Sequence, residues 1–324
     1  MSRGDAGPPA RRLLFVAANP SIDRLYEVDR LVAGTIHRPQ SIVAVPGGKG
    51  LNATRAAATL GGTVTAVGIV AGRAGDWIVE RLATLGIDAR MARSSGETRT
   101  CISVLDRSSG AMTEFYERGE EIERAAWDAL EAIVETELEA GDVAAVALSG
   151  SLPLGAPPDG YGRIARIAAA QPVPVPVFGD TFGPGLAAVL VEGPTVVKLN
   201  ADEAGQSSGM AVSDASSAAV AGGVLRELGA TWVVVTLGFA GAVVVGPSGQ
   251  LHLVPPDLRG AYPVGSGDAF LGGVAVAYAR GEPIVDAARL GLAAGIANAQ
   301  IPGAGELDPA AVDGILSRIT QVSM

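Results

Sequence analysis

One cysteine, Cys101, stands among 324 residues, so neither an internal disulfide framework nor a cysteine-rich metal centre can be built. The two histidines, His37 and His252, lie far apart in the chain and make no local zinc signature. Aromatic residues are 4% of the chain and charged residues 18%, below the roughly 25% charged of an average domain. Positive charge is short: the formal net charge is −10 and no basic run occurs, which argues against nucleic acid while leaving room for a local basic pocket that holds a small anion. With 48% apolar residues the chain has ample material for a core. Signals for export are missing too. After the Gly/Pro-rich residues 1–12 the apolar run spans only Leu13 to Ala18, too short for a signal-peptide core. The longest stretch without Asp, Glu, Lys or Arg, Leu228 to Pro256, has the length of a membrane span, but Gly238, Gly241, Gly246, Pro247 and Gly249 cut it into strand-sized pieces of buried sheet. A cytoplasmic protein with no membrane partner is the expectation.

Lysine is the most informative scarcity. Only Lys49 and Lys198 occur, against 22 arginines. Where a surface cation can as well be Arg, a surviving Lys in a short Gly- or Asn-containing motif reads as chosen for its compact head group.

The length, about twice the ~150 residues of a typical domain, predicts one large domain or one with an appendage. Apolar runs at Leu13 to Ala18, Val64 to Val70, Val143 to Leu148, Val173 to Phe178, Thr195 to Leu199 and Trp232 to Thr236 read as strands. Helical patterns at Gly50 to Leu60, Asp76 to Leu85, Glu123 to Ala140, Tyr161 to Ala170 and Ser213 to Leu228 alternate with them. Such alternation demands an α/β fold, a mostly parallel sheet sandwiched by helices, with ligands at the carboxyl ends of the strands. Helices at Asp268 to Arg280, Pro283 to Ala299 and Pro309 to Ile319 follow. Leu25 to Val45 and Thr100 to Glu117 carry strand-like pieces with no helix between them and read as a small antiparallel β lid. The expected division is a disordered tail at 1–12, a main domain from 13–24, 46–99 and 118–324, and a lid from 25–45 and 100–117.

Gly265-Ser266-Gly267-Asp268 leads from a strand and loop into an apolar helix. A glycine-rich turn at a helix start aims free N–H groups and the positive dipole end at one spot, which suits an anion. Asp268, in that first turn, is an ordinary cap on the plainer reading; beside an anion hole it can also take the proton of a hydroxyl that attacks a phosphoryl group. Pro46-Gly47-Gly48-Lys49-Gly50 with Asn52 is a second strand-to-helix glycine loop, carrying a point charge for phosphate. Neither is a Walker A or a dinucleotide-binding loop. Asp23, Ser149 to Ser151, and Lys198 to Asn200 with Glu203 sit at further strand ends, where each alone is as readily a cap or turn.

Together these motifs resemble the PfkB-type, ribokinase-like carbohydrate kinases, from Leu13 to about Ile319 and in the family's order. GSGDAF is similar to the family's carboxy-terminal signature and GGKGLN to its amino-terminal one. NPSID, TRTCI, LSGSLP and KLNADE are most similar to the phosphosugar branch, that of 1-phosphofructokinase and tagatose-6-phosphate kinase. The resemblance implies Asp268 as base, with amides of Gly265, Ser266 and Gly267 as anion hole. It implies Asp23, Gly48 and Asn52 on the sugar hydroxyls, and Lys49, Arg99 and Ser151 on the phosphate already carried by the sugar, with Arg38 helping from the lid. Asn200 and Glu203 match the N-x-x-E motif that organises Mg²⁺, held by Glu203 through water, and the ATP phosphates. Lys198, Thr236, Gly238, Gly241 and Asn298 would line the nucleotide side. Ser266, Leu199 and Ala269 depart from the usual Ala, Pro and Ser at their positions, which leaves the family member open.

The implied activity is ATP-dependent phosphoryl transfer to a ketohexose phosphate: fructose 1-phosphate, fructose 6-phosphate or tagatose 6-phosphate. A monovalent cation is a further candidate cofactor, and a homodimer through the lid the implied assembly. The alternatives are a kinase of an unphosphorylated sugar or nucleoside, which leaves Lys49 and Arg99 without an anion, and a non-catalytic sensor, which has no need of Asp268.

Overall fold

The computed structural model describes residues 11–324. Of the expected tail, residues 1–10 lie outside the described residues; Arg12 belongs to the first strand, where its guanidinium pairs with Glu137 and with Asp142 (3.0 Å). The chain opens with strands β1 (Arg12–Ala17), β2 (Ser21–Val28) and β3 (Ser41–Gly47), then helix α1 (Lys49–Thr59), β4 (Val64–Ala71), α2 (Gly72–Thr84) and β5 (Asp88–Ser94). Next come β6 (Thr100–Asp106), β7 (Met112–Tyr116), α3 (Arg124–Glu139), β8 (Val143–Ser149), α4 (Gly160–Ala169), β9 (Val177–Asp180) and α5 (Gly183–Val191). β10 (Val196–Asn200), α6 (Ala201–Ser208), α7 (Ala215–Glu227), β11 (Trp232–Thr236), β12 (Ala242–Gly246) and β13 (Gly249–Val254) follow. The chain ends with α8 (Ser266–Ala279), α9 (Ile284–Asn298), α10 (Pro309–Leu316) and β14 (Thr320–Ser323).

Ten strands form one sheet in the order β14-β13-β12-β11-β10-β9-β8-β1-β4-β5, parallel from β11 to β5 and antiparallel beyond. Strand alternation divides the core. Leu13, Phe15 and Ala17 pack with α1, α8 and α9 on one face, and Leu14 and Val16 with α3 and α4 on the other. The charge-free stretch from Leu228 is β11, a short turn, β12 and β13; no helix among the described residues is long and apolar enough to cross a membrane. β9 starts at Val177, later than the expected Val173, because Pro174 and Pro176 have no N–H for a ladder. Its ladder with β8 runs on to Asp180, opposite Ser149, which makes Asp180 a strand-end residue of the site.

The lid is a four-stranded sheet, β3-β2-β6-β7, and takes in Ser21 to Arg24 and Pro46-Gly47 beyond its expected bounds. Its outer pairings are antiparallel as expected, but β2 and β6 run parallel, Asp23 opposite Cys101 and Leu25 opposite Ser103, since both strands leave the main domain in the same direction. Asp23, Leu25, Val43 and Val45 share the face with Cys101 and Tyr116 that lines a cavity against Tyr262. Ile42, Ile102, Val104 and Phe115 lie on the opposite face by register.

Candidate active site

The expected residues from the strand ends do meet at one edge. Gly265 caps α8 in the left-handed region (φ 84°), and a Cβ there would clash with Ala304 and Gly305. The Ser266 amide is already used, donating to Pro263 O (3.1 Å), whereas those of Gly265 and Gly267 make no hydrogen bond among the described residues. A Cβ on Gly267 would lie 2.8 Å from Lys198 Nζ, so the ammonium of Lys198 borders this amide cradle. Asp268, in the first turn of α8 and 7% exposed, accepts from Asn52 Nδ2 (3.0 Å). Burial first, then the charge of Asp180, pushes its carboxyl up to about 7 against the opposing pull of Lys49 and Lys198. A carboxylate of that pKa is poised to accept a proton near neutral pH.

Asn52 Nδ2 also donates to Asp23 Oδ2 (3.1 Å), which accepts from the Gly48 amide at the same distance, while Ser21 Oγ donates to Asp23 Oδ1 (2.6 Å). The missing side chain of Gly47 makes this possible, since a Cβ there would collide with the Asp23 carboxylate. Asp23, Gly48, Asn52 and Asp268 thus form one continuous hydrogen-bonded group.

The residue that organises the centre was not among those expected. Asp180, fully buried at the end of β9, accepts from Lys49 Nζ (3.0 Å) on one oxygen and from Lys198 Nζ (2.7 Å) on the other. Both lysines of the chain converge on this carboxylate. Burial drives its pKa up, but Lys198 and Lys49 outweigh burial and hold it below the usual carboxylate range. Lys49 Nζ donates to Glu203 Oε1 as well (2.7 Å); burial works against its charge, and Asp180, Glu203 and Asp268 overcome it and raise its pKa. The strand-end position of an acid next to a glycine was the signal available in the sequence, displaced there by reading the strand as ending at Phe178.

Around Lys49, Asn19 Nδ2 donates to Ser151 Oγ (3.0 Å), and Arg99 donates to Asn19 O (3.0 Å) and Glu117 O (3.1 Å), tying the β1–β2 turn to the root of the lid. Arg38 stands on an exposed loop between β2 and β3 and makes no hydrogen bond or ion pair among the described residues. On the other side, Asn200 and Glu203 form a capping box at α6: Asn200 Oδ1 accepts from the Glu203 amide (2.8 Å) and Glu203 Oε2 from the Asn200 amide (3.0 Å). A shallow cleft beside them is lined by Asn200, Asp202, Ser213, Thr236, Gly238 and Ala240. Gly241 and Asn298 do not face it. Gly241 makes the tight turn before β12, where a Cβ would collide with Leu253 O, and Asn298 is fully buried, donating to Val264 O (3.2 Å) and accepting from the Gly305 amide (2.8 Å). Both shape the site from behind, a correction to their expected role on the nucleotide.

Several buried polar atoms have no partner among the described residues, and most of them lie at this edge: Ser149 Oγ, Thr181 Oγ1, Ser266 Oγ and Arg99 Nε. Unsatisfied donors around free helix-start amides fit a phosphorylated ligand. No cluster of three metal-ligating side chains occurs among the described residues. Glu203, in the capping box with Asn200, carries a hard carboxylate oxygen of the kind Mg²⁺ takes together with phosphates and water.

Residues 16–311 match the pfkB family of carbohydrate kinases, and the chain belongs to that family, an α/β phosphotransferase class with the ribokinase-like fold. Within it, the chain is 31% identical over 317 residues to a tagatose-6-phosphate kinase of Staphylococcus epidermidis, spanning 96% of this chain and all of the relative. Phosphofructokinase-2 from Escherichia coli in complex with fructose-6-phosphate superposes with a TM-score of 0.84 at 26% identity, covering 95% of this chain and 99% of the other; its potassium complex gives 0.86. Arabidopsis thaliana ribokinase, at 21% identity over 95% and 99% of the two chains and a TM-score of 0.72, shares the fold.

Proposed function

We propose that this kinase transfers the γ-phosphoryl group of ATP to a hydroxyl of a ketohexose phosphate. The observation that carries the chemistry is Asp268, a buried carboxyl raised to about 7 beside unengaged helix-start amides and the Lys198 ammonium. Asp268 would accept the proton of the acceptor hydroxyl, and Asp23 and Asn52 would orient the sugar beside it. The amides of Gly265 and Gly267 with Lys198 would stabilise charge on the transferred group. When bound, Mg²⁺ neutralises the nucleotide phosphates; Glu203 would hold it through water, and Asn200, Thr236 and Gly238 would border the nucleotide. The potassium complex of the Escherichia coli relative supports a monovalent cation as an additional cofactor.

A phosphorylated acceptor is supported by Arg99, whose buried Nε is unpartnered, next to Asn19, Ser151 and the Lys49 loop. The names of the relatives agree with it. One observation favours an uncharged acceptor instead: Lys49 is already paired with Asp180 and Glu203. ADP release measured with fructose 1-phosphate, fructose 6-phosphate, tagatose 6-phosphate, fructose and ribose decides. Turnover of a phosphorylated ketohexose with little on fructose or ribose is expected, and the reverse order overturns the reading. The absence of a membrane-length helix is consistent with a cytoplasmic enzyme, and the apolar outer face of the lid with a homodimer.

A further inference from the structure

We infer that Arg55 is a positioning residue that fixes which way the Asn52 amide faces and so couples Asp23 to Asp268. The inference rests on the phosphotransfer reading above for its meaning, but its geometry is independent of it. An asparagine amide has the same shape either way round, and its partners decide which end is nitrogen. Arg55 donates to Asn52 Oδ1 (2.8 Å), which turns Nδ2 toward Asp268 Oδ2 (3.0 Å) and Asp23 Oδ2 (3.1 Å). Turned over, the amide would set its oxygen against two carboxylates and its NH₂ against a guanidinium. Arg55 makes the donating orientation obligatory, and one amide spans the proposed sugar grip and the proposed base.

The guanidinium is itself held on every side. It is 3% exposed on α1, donates through Nε to Pro46 O (2.9 Å) at the start of the glycine loop, and bonds Ala304 O and Glu306 in the loop after α9. Ala304 and Gly305 lie against Gly265, where the amide cradle begins. One planar fork therefore registers the glycine loop, the Asn52 amide and the loop behind the cradle, which the single nitrogen of a lysine cannot do. The charge acts in the same sense as the geometry. Burial lowers the pKa of Arg55, while Glu306, Asp23 and Asp268 favour its charged form. The groups facing Asp268 are Lys49 and Arg55 on α1, Asp180 on β9, Lys198 on β10 and Asp23 on β2, with Glu306 behind Arg55.

The test compares Arg55→Met, Arg55→Lys and Glu306→Gln with the wild-type enzyme. The ionisation of Asp268 is read by carboxyl ¹³C NMR, with the signal assigned by its loss in Asp268→Asn, and independently from the acid limb of kcat. Arg55→Met removes a cation and frees the amide, so the Asp268 midpoint is expected to rise by roughly half a unit or more, with kcat/KM down at least ~10-fold. Arg55→Lys keeps the charge and loses the fork, and a smaller rise is expected. Glu306→Gln, at a side chain 41% exposed, keeps the fold and leaves Arg55 less compensated, so the midpoint is expected to fall. Should Arg55→Met fail to fold, the opposite shifts of Arg55→Lys and Glu306→Gln still carry the inference. Wild-type midpoints in those two variants, with wild-type kcat, would reduce Arg55 to a scaffold residue. If the shifts appear while the wild-type enzyme phosphorylates none of the sugars, the positioning role stands and the proposed function falls.

Discussion

Asp180 and Asp268 are both buried at the same sheet edge, and their carboxyls move in opposite directions. Asp180 has an ammonium on each oxygen and is held below the ordinary range; Asp268 has one neutral amide and is pushed up to about 7. Burial is common to both, so it cannot be what separates them; the directly bound cations are. The two lysines are bound by Asp180, and Asp268, which neither lysine contacts in a hydrogen bond, is left as a base. The region around Asp180 is fixed structure and the region around Asp268 is poised chemistry.

The sharpest way to break that contrast is to remove the proton acceptor. Asp268→Asn keeps the shape and is expected to cut kcat by ~10²–10⁴, the range of a lost general base. Because the native pKa of Asp268 is raised above its unfolded value, the stability it contributes is complete below about pH 4 and is lost as pH rises to about 7. The variant is therefore expected to melt no lower than the wild type at pH 8, while wild-type kcat climbs through about pH 7. Near-normal turnover in the variant would leave Asp268 as a helix-start residue only.

Asp180→Asn attacks the other side of the comparison. Two ammonium groups would face an amide, a loss expected to cost about 3 kcal/mol of stability, as when one partner of a buried pair is removed. Since the native pKa of Asp180 is depressed, its contribution is present above about pH 4 and disappears as pH falls through its native value, so the difference in melting temperature should shrink in acid. The acid limb of kcat should move below its wild-type position, because the charge that raises Asp268 is gone. An unmoved limb would separate the two carboxylates electrostatically.

How far this contrast was legible in the sequence depended on local signals. Asp268, Lys49 and Asn52 stand in short glycine motifs whose backbone demands are local, and the structure brings them together as expected. Asp180 ends a strand whose start is delayed by Pro174 and Pro176, and the apolar run that marks this strand in the sequence stops before it, at Phe178. Arg55 lies in an Ala-rich helix whose pattern says nothing of a loop near residue 304. The parallel pairing of β2 with β6 joins segments far apart in the chain, and β5 and β14, polar or short edge strands, lack an apolar run.

Lys49→Ala and Arg99→Ala sharpen the comparison by testing where its lysine side ends. Both are expected to weaken sugar-phosphate binding by about 2 kcal/mol, at the lower end for unpairing a charged partner. The sequence kept the sugar-phosphate and nucleotide ends apart, but Lys49 pairs with Glu203, so only Lys49→Ala should also weaken nucleotide binding. Calorimetry with each ligand measures this directly; equal effects of the two variants on ATP would contradict the asymmetry.

The smallest expected effect contrasts the buried site with the lid's outer face. Register turns Val43 and Val45 inward to the cavity and leaves Ile42, Ile102, Val104 and Phe115 on the outer face. Ile42 is 58% exposed and Phe115 59%, whereas Val104 is 8% exposed within one chain. A charge at Val104 would therefore test folding, and Phe115→Asp is the cleaner probe of an interface. If a second copy covers this face across a twofold axis, Phe115 is an aromatic anchor, and its replacement should weaken association by about 1–2 kcal/mol with the melting profile of the monomer little changed. Light scattering from micromolar to sub-micromolar protein reads the shift toward monomer. A monomeric wild type at those concentrations would remove the interface, and a Phe115→Asp variant that dimerises as tightly as the wild type would move it to another face.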